Sequence, residues 1–489
     1  MTMKLSRGVA GLIGQYREKT LSPLEVIEEA LADADASQAS LAAFATIAHE
    51  SARREAQAAT HAYRTGSVQG PLAGVPITVK DILQTRGIRT TYGSRAFAGH
   101  VPTSDAESVA RLRKAGAIII GKTATPEFAC RQTTSSAISG ISRNPLDLRL
   151  TPGGSSGGAA AATASGIGTI AVVTDGGGSA RLPAACTGTA GFKPTFGRIP
   201  FDAALDAFSG LGHIGLMAQN VEDIAVAFAI AAGPCDRDPY SLVPPGRSRE
   251  GAAISRFSLE GIRVGWRERL HDESMDPAIQ HGIRAALGKV ERLGGTIVEL
   301  EGEVDEPLPI WRTLQDAIWA ERYSDNADIM ADIDPVIRSG VERAASTRAQ
   351  DLQRAMHGRT RLFRSVQSWF QSCDVVLSPT LTRTPLAAEH PGYGPIEIGG
   401  KPAGDIRVAW APLLGLFTMT GHPSISLNCG WTPEGLPIGL HLTAPWHGDD
   451  ALLSLAALLE VQFNAGLETR PASGVADHRP AQRKETVSW

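Results

Sequence analysis

Residues 166–200 constrain this chain more than any other stretch, because an apolar run there leads directly into consecutive glycines. The β-branched residues within 169–173 predict a buried strand. Three glycines follow at 176–178, and without a Cβ their backbone N–H groups can approach a ligand closely. Ser179, at the end of this loop, is placed to attack a carbonyl group whose oxyanion those N–H groups hold. Taken alone, the stretch fits a flexible glycine–serine turn equally well.

Strand-like and helix-like segments alternate along the whole chain, which predicts an α/β domain around a mixed sheet. Residues 74–81 and 117–120 are predicted strands on either side of a helix, and residues 262–266 and 296–300 repeat this arrangement. Strand–helix–strand units of this kind pair their strands in parallel. An alanine-rich helix is expected over residues 44–63.

We predict a single domain over residues 1–470, because neither a long linker nor an internal repeat interrupts the pattern. Residues 424–428 and 438–442 are expected to form a hairpin, and residues 450–463 a closing helix. The tail, residues 471–489, is polar and combines prolines with charged residues. Such a composition predicts disorder at a terminus.

Composition argues against several classes of function. The 489 residues carry a formal charge of −4 and are 43% apolar, so neither a nucleic acid nor an anionic membrane is expected as a partner. No apolar run reaches the roughly 18 residues of a membrane span. The five cysteines are scattered without a CxxC pair, which indicates neither a disulfide framework nor a zinc site. We therefore expect a cytoplasmic protein with no metal or cofactor, and allow for a homodimer.

Residues 116–123, GAIIIGKT, match the consensus sequence of a phosphate-binding loop. The four middle positions of this motif are themselves predicted to be strand. No flexible turn is then left to wrap a phosphate group. Pro126 follows where the helix of such a loop should be forming. A nucleotide site is therefore not expected here.

The nucleophile elbow of α/β-hydrolases is matched in the same way by residues 153–157, GGSSG. That elbow needs a strand directly before it, and Thr151-Pro152 is a poor strand end. A triad would also need a later histidine. Four histidines qualify by order alone, none in a distinctive context: His213, His422, His441 and His447. The motif alone does not predict this hydrolase class.

Longer motifs in a fixed order are more specific than either short pattern. PITVKD surrounds Lys80, and residues 153–193 contain GGSSGG, TDGGGSARLP and GFKPT. RNPLD begins at Arg143, and GHPSISLNCG lies near the C-terminus. Together these motifs resemble the amidase signature family of serine hydrolases, over about residues 21–463. The resemblance implies the fold of that family, a twisted mixed sheet, mostly parallel, with α-helices on both faces.

The resemblance also implies a Ser–cisSer–Lys triad, and each member falls on a matching residue. Ser179 takes the nucleophile position, Ser155 the bridging position and Lys80 the general-base position. The peptide bond between Gly154 and Ser155 is implied to be cis. Four backbone N–H groups are implied to form the oxyanion hole, those of Gly176, Gly177, Gly178 and Ser179.

Supporting and pocket residues follow from the same resemblance. Ser156, Asp175 and Arg181 match residues that hold the glycine loop in place. The substrate pocket is implied to run past three residues that follow the sequence PEF at 126–128: Cys130, Gln132 and Thr133. Cys130 is interpreted as a lining or buried residue and not as a second nucleophile.

Two regions of the chain are distinguished by the resemblance. Residues 70–200 hold the core of the signature, and residues 305–372 form a variable helical region on the substrate side. Trp311 and Trp319 lie in this second region. Either they close the pocket over the substrate or they belong to an ordinary aromatic core, and the sequence leaves both interpretations open.

Amide chemistry makes a demand on Lys80. Ser179 must lose its proton as it bonds to the carbonyl carbon, and a charged lysine cannot accept that proton. Lowering the pKa of a lysine from about 10.4 to near 7 costs roughly 4–5 kcal/mol. Burial beside an apolar strand favours this shift because it disfavours the ammonium form. Ser155 can relay the proton in both directions, and so deliver it to the departing amine.

The function implied by the resemblance is hydrolysis of a carboxamide C–N bond through an acyl-enzyme on Ser179. The substrate would be a small or aryl amide, with esters or carbamates as side substrates. One alternative is the glutamine amidase subunit of a tRNA-dependent amidotransferase, which passes ammonia to a partner. A second, less favoured alternative is a catalytically silent relative that only binds.

Overall fold

The computed structural model describes residues 8–202, 207–208, 210–241 and 258–464. The predicted tail, residues 471–489, lies outside the described residues. The α-helices of the described residues are α1 Val9–Glu18, α2 Pro23–Leu41, α3 His49–Thr65, α4 Glu107–Lys114, α5 Gly157–Ala164, α6 Arg181–Thr187, α7 Val221–Ala231, α8 Pro277–Arg292, α9 Pro307–Tyr323, α10 Ala327–Ala331, α11 Pro335–Ala344, α12 Ala349–Trp369, α13 Ile406–Ala409, α14 Pro412–Met419 and α15 Asp449–Asn464.

Most strands belong to a single 11-stranded sheet, whose strand order is β1-β3-β2-β6-β8-β7-β14-β15-β11-β9-β10. The strands are β1 Phe44–Ile47, β2 Pro76–Lys80, β3 Ile118–Thr123, β4 Ser135–Ser136, β5 Gly140–Ile141, β6 Ile170–Asp175, β7 Ala190–Lys193, β8 His213–Ala218, β9 Arg263–Trp266, β10 Thr296–Glu299, β11 Val375–Pro379, β12 Pro395–Ile398, β13 Lys401–Asp405, β14 Ser424–Trp431 and β15 Pro437–Thr443. Strands β4 and β5, and strands β12 and β13, form separate two-stranded ribbons.

The sheet is mixed, but the expectation that it is mostly parallel is wrong. Both predicted strand–helix–strand units do pair in parallel, β2 with β3 and β9 with β10. Strands β8, β7, β14 and β15, however, pair antiparallel with all their neighbours. Strands β14 and β15 form a hairpin with a short turn, whereas β7 pairs with the distant β14. The antiparallel block lies in the middle of the sheet, between two parallel groups.

Helices cover both faces of the sheet, as the side chains of β6 illustrate. Successive strand residues point to opposite faces. Ile170 and Val172 pack in a core cluster that includes residues of α4, α7 and α15. Ala171 and Val173 pack on the other face against Ala159 of α5. This small-residue packing brings α5, and the serine pair in front of it, close to β6.

The elements predicted from the sequence lie close to observed ones, with one exception. The segment predicted as a helix over 44–63 begins instead with the edge strand β1, and α3 starts only at His49. Phe44 and Ile47 pair with residues of β3, and a tertiary pairing of this kind overrides local helix propensity. Among the described residues, no helix combines the length and the apolar character needed to cross a bilayer.

Candidate active site

Lys80 and Asp175 lie at the same edge of the sheet because they end neighbouring parallel strands. Lys80 is the last residue of β2, and Asp175 is the last residue of β6. The two strands pair in parallel with Val79 opposite Val172. In an α/β sheet the carboxyl ends of the strands form the usual ligand-binding edge. The glycine loop after β6 therefore starts beside the lysine.

Lys80, Ser155 and Ser179 form a continuous chain of hydrogen bonds. Lys80 Nζ donates to Ser155 Oγ at 2.7 Å. Ser155 Oγ in turn lies 3.0 Å from Ser179 Oγ and donates to it. Lys80 and Ser155 are buried, whereas Ser179 is only half-buried. The terminal serine can therefore meet a substrate while the other two stay shielded from water.

The backbone around Ser155 is fixed from both sides. The Gly154–Ser155 peptide bond is cis, as the resemblance implied. Thr134 Oγ1 donates to the carbonyl of Gly153 at 2.9 Å and accepts from the N–H of Gly157 at 3.0 Å. The threonine thus joins the two ends of this loop, with α5 beginning directly behind it. The bridging serine is held towards Lys80 as a result.

The surroundings of Lys80 favour its neutral form. Burial lowers the pKa of Lys80 to about 7, and the carboxylate of Asp175 opposes that shift. Besides Ser155, Lys80 Nζ has one further hydrogen-bond partner among the described residues, Thr174 Oγ1 at 3.1 Å. Both partners are hydroxyl groups, and a hydroxyl can accept from an ammonium or donate to a free amine. The site therefore suits both protonation states of the lysine.

Asp175 is held as a carboxylate below the glycine loop. Its oxygens accept from the N–H of Gly178 at 2.7 Å and of Ala180 at 3.1 Å. They also accept two bonds from the Arg181 guanidinium, both at 2.9 Å. Burial opposes ionisation, but the charge and hydrogen bonds of Arg181 outweigh it and lower the pKa of Asp175 well below its usual range. The carboxylate thus fixes the loop on both sides of Ser179.

Arg181 connects this loop to the C-terminal part of the chain. Its guanidinium donates to Thr418 Oγ1 at 2.7 Å and to Ser424 Oγ at 3.1 Å. It also lies 3.1 Å from His441 Nε2, and burial lowers the pKa of this histidine well below its usual value. Arg181 and Asp175 are both fully buried. Helix α14 and the β14–β15 hairpin therefore help to fix the glycine loop.

Replacing Arg181 with methionine is expected to destabilise the protein by about 3–5 kcal/mol, since it leaves the buried Asp175 carboxylate without its cation. The free energy of unfolding, measured by urea denaturation, tests this. Arg53→Met is a matched control, because Arg53 pairs with Glu28 on the exposed surface and exposed ion pairs contribute little. Equal stability of Arg181→Met and the unchanged chain would contradict the structural role given to this pair.

The oxyanion-hole prediction needs one correction, at Gly178. Its N–H already donates to Asp175, so it is engaged before any substrate arrives. Glycine is required at position 178 by the turn, because φ is 115° there. A Cβ at this position would also lie only 2.9 Å from the Leu414 side chain. Across the described ranges, no protein acceptor binds the N–H groups of Gly176, Gly177 and Ser179. These three remain the predicted donors.

Comparison with known proteins decides the family. The model of the family described as Amidase matches residues 25–453. This chain belongs to the amidase signature family. It is accordingly a hydrolase that acts on amide C–N bonds.

Curated relatives of this amidase signature chain include an acylamidase and an amidotransferase component. An acylamidase of Rhodococcus erythropolis is 31% identical over 450 residues, which cover 90% of this chain and 92% of the relative. The second relative is one component of a glutamyl-tRNA(Gln) amidotransferase, from Symbiobacterium thermophilum. This amidotransferase component is 33% identical over 488 residues, covering 92% of this chain and 96% of the relative.

Among solved structures, a bacterial aryl acylamidase of the amidase signature family superposes with a TM-score of 0.86. It is 27% identical, and the match covers 97% of this chain and 99% of that one. The mixed sheet and its helical cover are thus those of amidase signature enzymes.

The three predicted pocket residues have different surroundings in this amidase signature chain. Cys130 is 4% exposed and packs with Trp319 and Tyr323. Burial raises the pKa of its thiol well above the usual value, which fits a lining residue and not a nucleophile. Thr133 donates to a backbone carbonyl, that of His390, at 3.3 Å. Gln132 is 8% exposed, and its Oε1 has no hydrogen-bond partner among the described residues.

The supporting role of Ser156 is weaker than expected. Its hydroxyl reaches the carbonyl of Thr174 only at 3.5 Å. It is also the N-cap residue of α5, but its side chain makes no capping hydrogen bond among the described residues. Among the three supporting residues, Asp175 and Arg181 therefore carry most of the hydrogen bonding to the loop.

Sequence reasoning did not find two of the contacts around the site. Thr174, the second partner of Lys80, could have been found, because it directly follows the strand predicted within 169–173 and precedes Asp175. The indole of Trp311 donates to the carbonyl of Gly176 at 2.9 Å. No local pattern marks that contact, since 135 residues separate the two positions.

The rejected motifs lie as their context predicted. Residues 118–123 form strand β3 and not a phosphate loop. Lys122 in that strand donates to the carbonyl of Leu83 and to Thr85 Oγ1. Of the histidines considered for an elbow triad, His441 contacts Arg181 and Ser378. In the described chain, none of the hydrogen bonds found for the four histidines involves Ser155.

Proposed function

We propose that this chain hydrolyses a carboxamide to a carboxylate and an amine or ammonia, with Ser179 as nucleophile, Ser155 as proton relay and Lys80 as general base. One observation carries the proposal. The three polar atoms form an unbroken relay, with steps of 2.7 Å and 3.0 Å, that runs from a buried amine to a half-buried hydroxyl.

In the acylation half, Ser179 Oγ bonds to the carbonyl carbon of the substrate. Its proton passes to Ser155, whose own proton passes to neutral Lys80, so the hydrogen bonds of the resting relay reverse direction. The oxyanion forms in front of the three free N–H groups of the glycine loop, which stabilise its charge. When the C–N bond breaks, the relay returns the proton to the departing amine.

In the deacylation half, water replaces the amine. It bonds to the acyl carbon while its proton passes through Ser155 to Lys80. The bond between the acyl carbon and Ser179 Oγ then breaks, and Ser179 recovers its proton from the relay. Each half therefore uses the lysine once as base and once as acid, which requires a pKa near the working pH. The pKa of about 7 for Lys80 meets this requirement.

We expect a small or aryl amide as substrate, with esters and carbamates as side substrates. The acylamidase and aryl acylamidase similarities support this class. The open space beside the glycine loop also supports it, since a Cβ at Gly176 or Gly177 would meet no atom within 4 Å.

A second candidate is the glutamine amidase subunit of a tRNA-dependent amidotransferase. The 33% identity to the amidotransferase component of Symbiobacterium thermophilum supports it. That function would make ammonia from glutamine and pass it to a partner protein. The same serine and lysine would act in both reactions, so the relay alone does not separate them.

The purified chain alone is expected to release the coloured amine from chromogenic anilides. A panel of amides varied separately on the acyl and amine sides would define the substrate class. Glutamine hydrolysis that appears only with added partner proteins would favour the second candidate. Failure to cleave any amide or ester, glutamine included, both with and without added partner proteins would contradict both.

A further inference from the structure

The indole of Trp311 reaches into the catalytic loop from the variable helical region. Trp311 lies in the first half of α9 and is half-buried. Its Nε1 donates to the carbonyl oxygen of Gly176 at 2.9 Å. Within the described ranges, no other hydrogen bond joins residues 305–372 directly to the glycine loop.

This hydrogen bond also orients an oxyanion donor. The carbonyl of Gly176 and the N–H of Gly177 belong to one peptide unit, which is planar and trans. In such a unit the C=O and the N–H point in opposite directions. Holding the carbonyl against Trp311 therefore aims the N–H of Gly177 away from the indole. That N–H is one of the three that have no protein acceptor in the described chain.

The peptide unit has little else to hold it. Both of its residues are glycines, which restrict backbone rotation least. No atom lies within 4 Å of the position of a Cβ on Gly176 or on Gly177. Among the described residues, the Gly176 carbonyl has no hydrogen-bond partner other than Trp311. Without the indole, this unit would be free to rotate, whereas Asp175 would still hold the loop at Gly178.

Trp311 is itself held in place. The guanidinium of Arg407 lies over its ring, 4.7 Å from the centroid, a cation–π arrangement. Arg407 Nη2 also donates to the carbonyl of Cys130 at 2.5 Å. Trp319 meets the indole edge-on, with centroids 6.1 Å apart. The indole therefore has a defined orientation and couples the pocket segment at Cys130 to the glycine loop.

We propose that Trp311 is a positioning residue, whose indole N–H fixes the Gly176–Gly177 peptide so that the Gly177 N–H faces the developing oxyanion. This inference rests on the proposed function and deepens it. The hydrogen bond to the carbonyl also polarises the peptide, which strengthens the N–H as a donor. Trp311 thereby stabilises the transition state and does not strengthen the binding of the substrate.

Trp311→Phe tests the proposal, because it keeps an aromatic ring over Arg407 and removes the N–H donor. Trp446→Phe is the matched control. It removes an indole hydrogen bond of the same kind, from Trp446 Nε1 to the carbonyl of Thr420 at 2.8 Å, away from the glycine loop. Both variants are compared with the unchanged chain in kcat, KM and thermal midpoint, on an anilide that the unchanged chain cleaves.

We expect Trp311→Phe to lower kcat about 10-fold, less than the loss of a whole oxyanion donor, with KM within about twofold. Inhibition by phenylboronic acid, which forms a tetrahedral adduct with a serine hydroxyl, should weaken by a similar factor. Trp446→Phe should keep kcat and boronate affinity, whatever its effect on the thermal midpoint.

Three results would overturn the inference. An unchanged kcat in Trp311→Phe would show that the peptide needs no such anchor. A raised KM with unchanged kcat would make Trp311 a wall of the binding pocket. Equal loss of kcat in Trp446→Phe would point to general loosening of the fold. An unchanged chain that cleaves no amide would instead refute the proposed function itself, so the two failures are distinguishable.

Discussion

Ser179→Ala is expected to abolish amide turnover, with kcat falling by about 10⁴–10⁶-fold, as when the nucleophile of another serine hydrolase is removed. The reason is that no other hydroxyl of the described relay can replace it. Ser155 lies behind it in the relay and is 1% exposed. Release of a chromogenic amine measures the loss. Mass spectrometry of the chain mixed with an activated ester should show an acyl adduct in the unchanged protein and none in Ser179→Ala.

Two further variants sharpen this test. Ser454→Ala removes a serine hydroxyl from the exposed side of α15 and should leave the turnover unchanged. Ser155→Ala should slow acylation strongly but still form the adduct, since the nucleophile remains. Amide turnover by Ser179→Ala equal to that of the unchanged chain would refute the mechanism.

Lys80→Met is expected to reduce amide turnover by about 10²–10⁴-fold, the usual contribution of a general acid–base group. Activated esters should lose less, because their leaving groups depart without a proton. Amine departure needs the proton that Lys80 returns through Ser155. Rates for an anilide and for a nitrophenyl ester of the same acid measure the difference. Equal losses on both substrates would contradict a role for Lys80 in protonating the leaving group.

The pH profile gives an independent measure of the same role. Only the neutral amine can accept the proton of Ser179, so kcat/KM should rise with pH and level off above the Lys80 pKa of about 7. Burial lowers the pKa of Lys122 to about 7 as well, so the profile alone does not identify the lysine. The rise should persist in Lys122→Met and disappear from the residual activity of Lys80→Met. The opposite pattern would assign the base to Lys122.

Sequence reasoning was most successful where the information lies in one short run. Asp175, Ser179 and Arg181 stand within seven residues of each other along the chain, so a single motif carries the proposed nucleophile and the ion pair that holds its loop. Lys80 and Ser155 were reached through the family resemblance. The structure brings Lys80 beside the glycine loop because β2 and β6 are parallel neighbours, and Ser155 hydrogen-bonds both Lys80 and Ser179.

Features that depend on contacts between distant parts of the chain could not be predicted from the sequence. Nothing local shows that the Gly178 N–H turns back to Asp175, because any of three adjacent glycines could do so. The edge strand at Phe44 was mistaken for helix, since its strand character comes from pairing with β3. The β14–β15 hairpin was predicted, but the antiparallel pairings of β7 and β8 were missed for the same reason. Strand direction there follows from pairings between distant segments, such as β7 with β14.

The anchoring of Arg181 has a consequence for how this enzyme is made. A ribosome delivers Lys80, Ser155 and Ser179 early, but Ser424 and His441 follow Arg181 by 243 and 260 residues. A nascent chain thus contains these three residues well before it contains the two side chains that anchor Arg181. The loop around Ser179 is therefore fixed only once the segment that holds Ser424 and His441 has been made and has packed against Arg181.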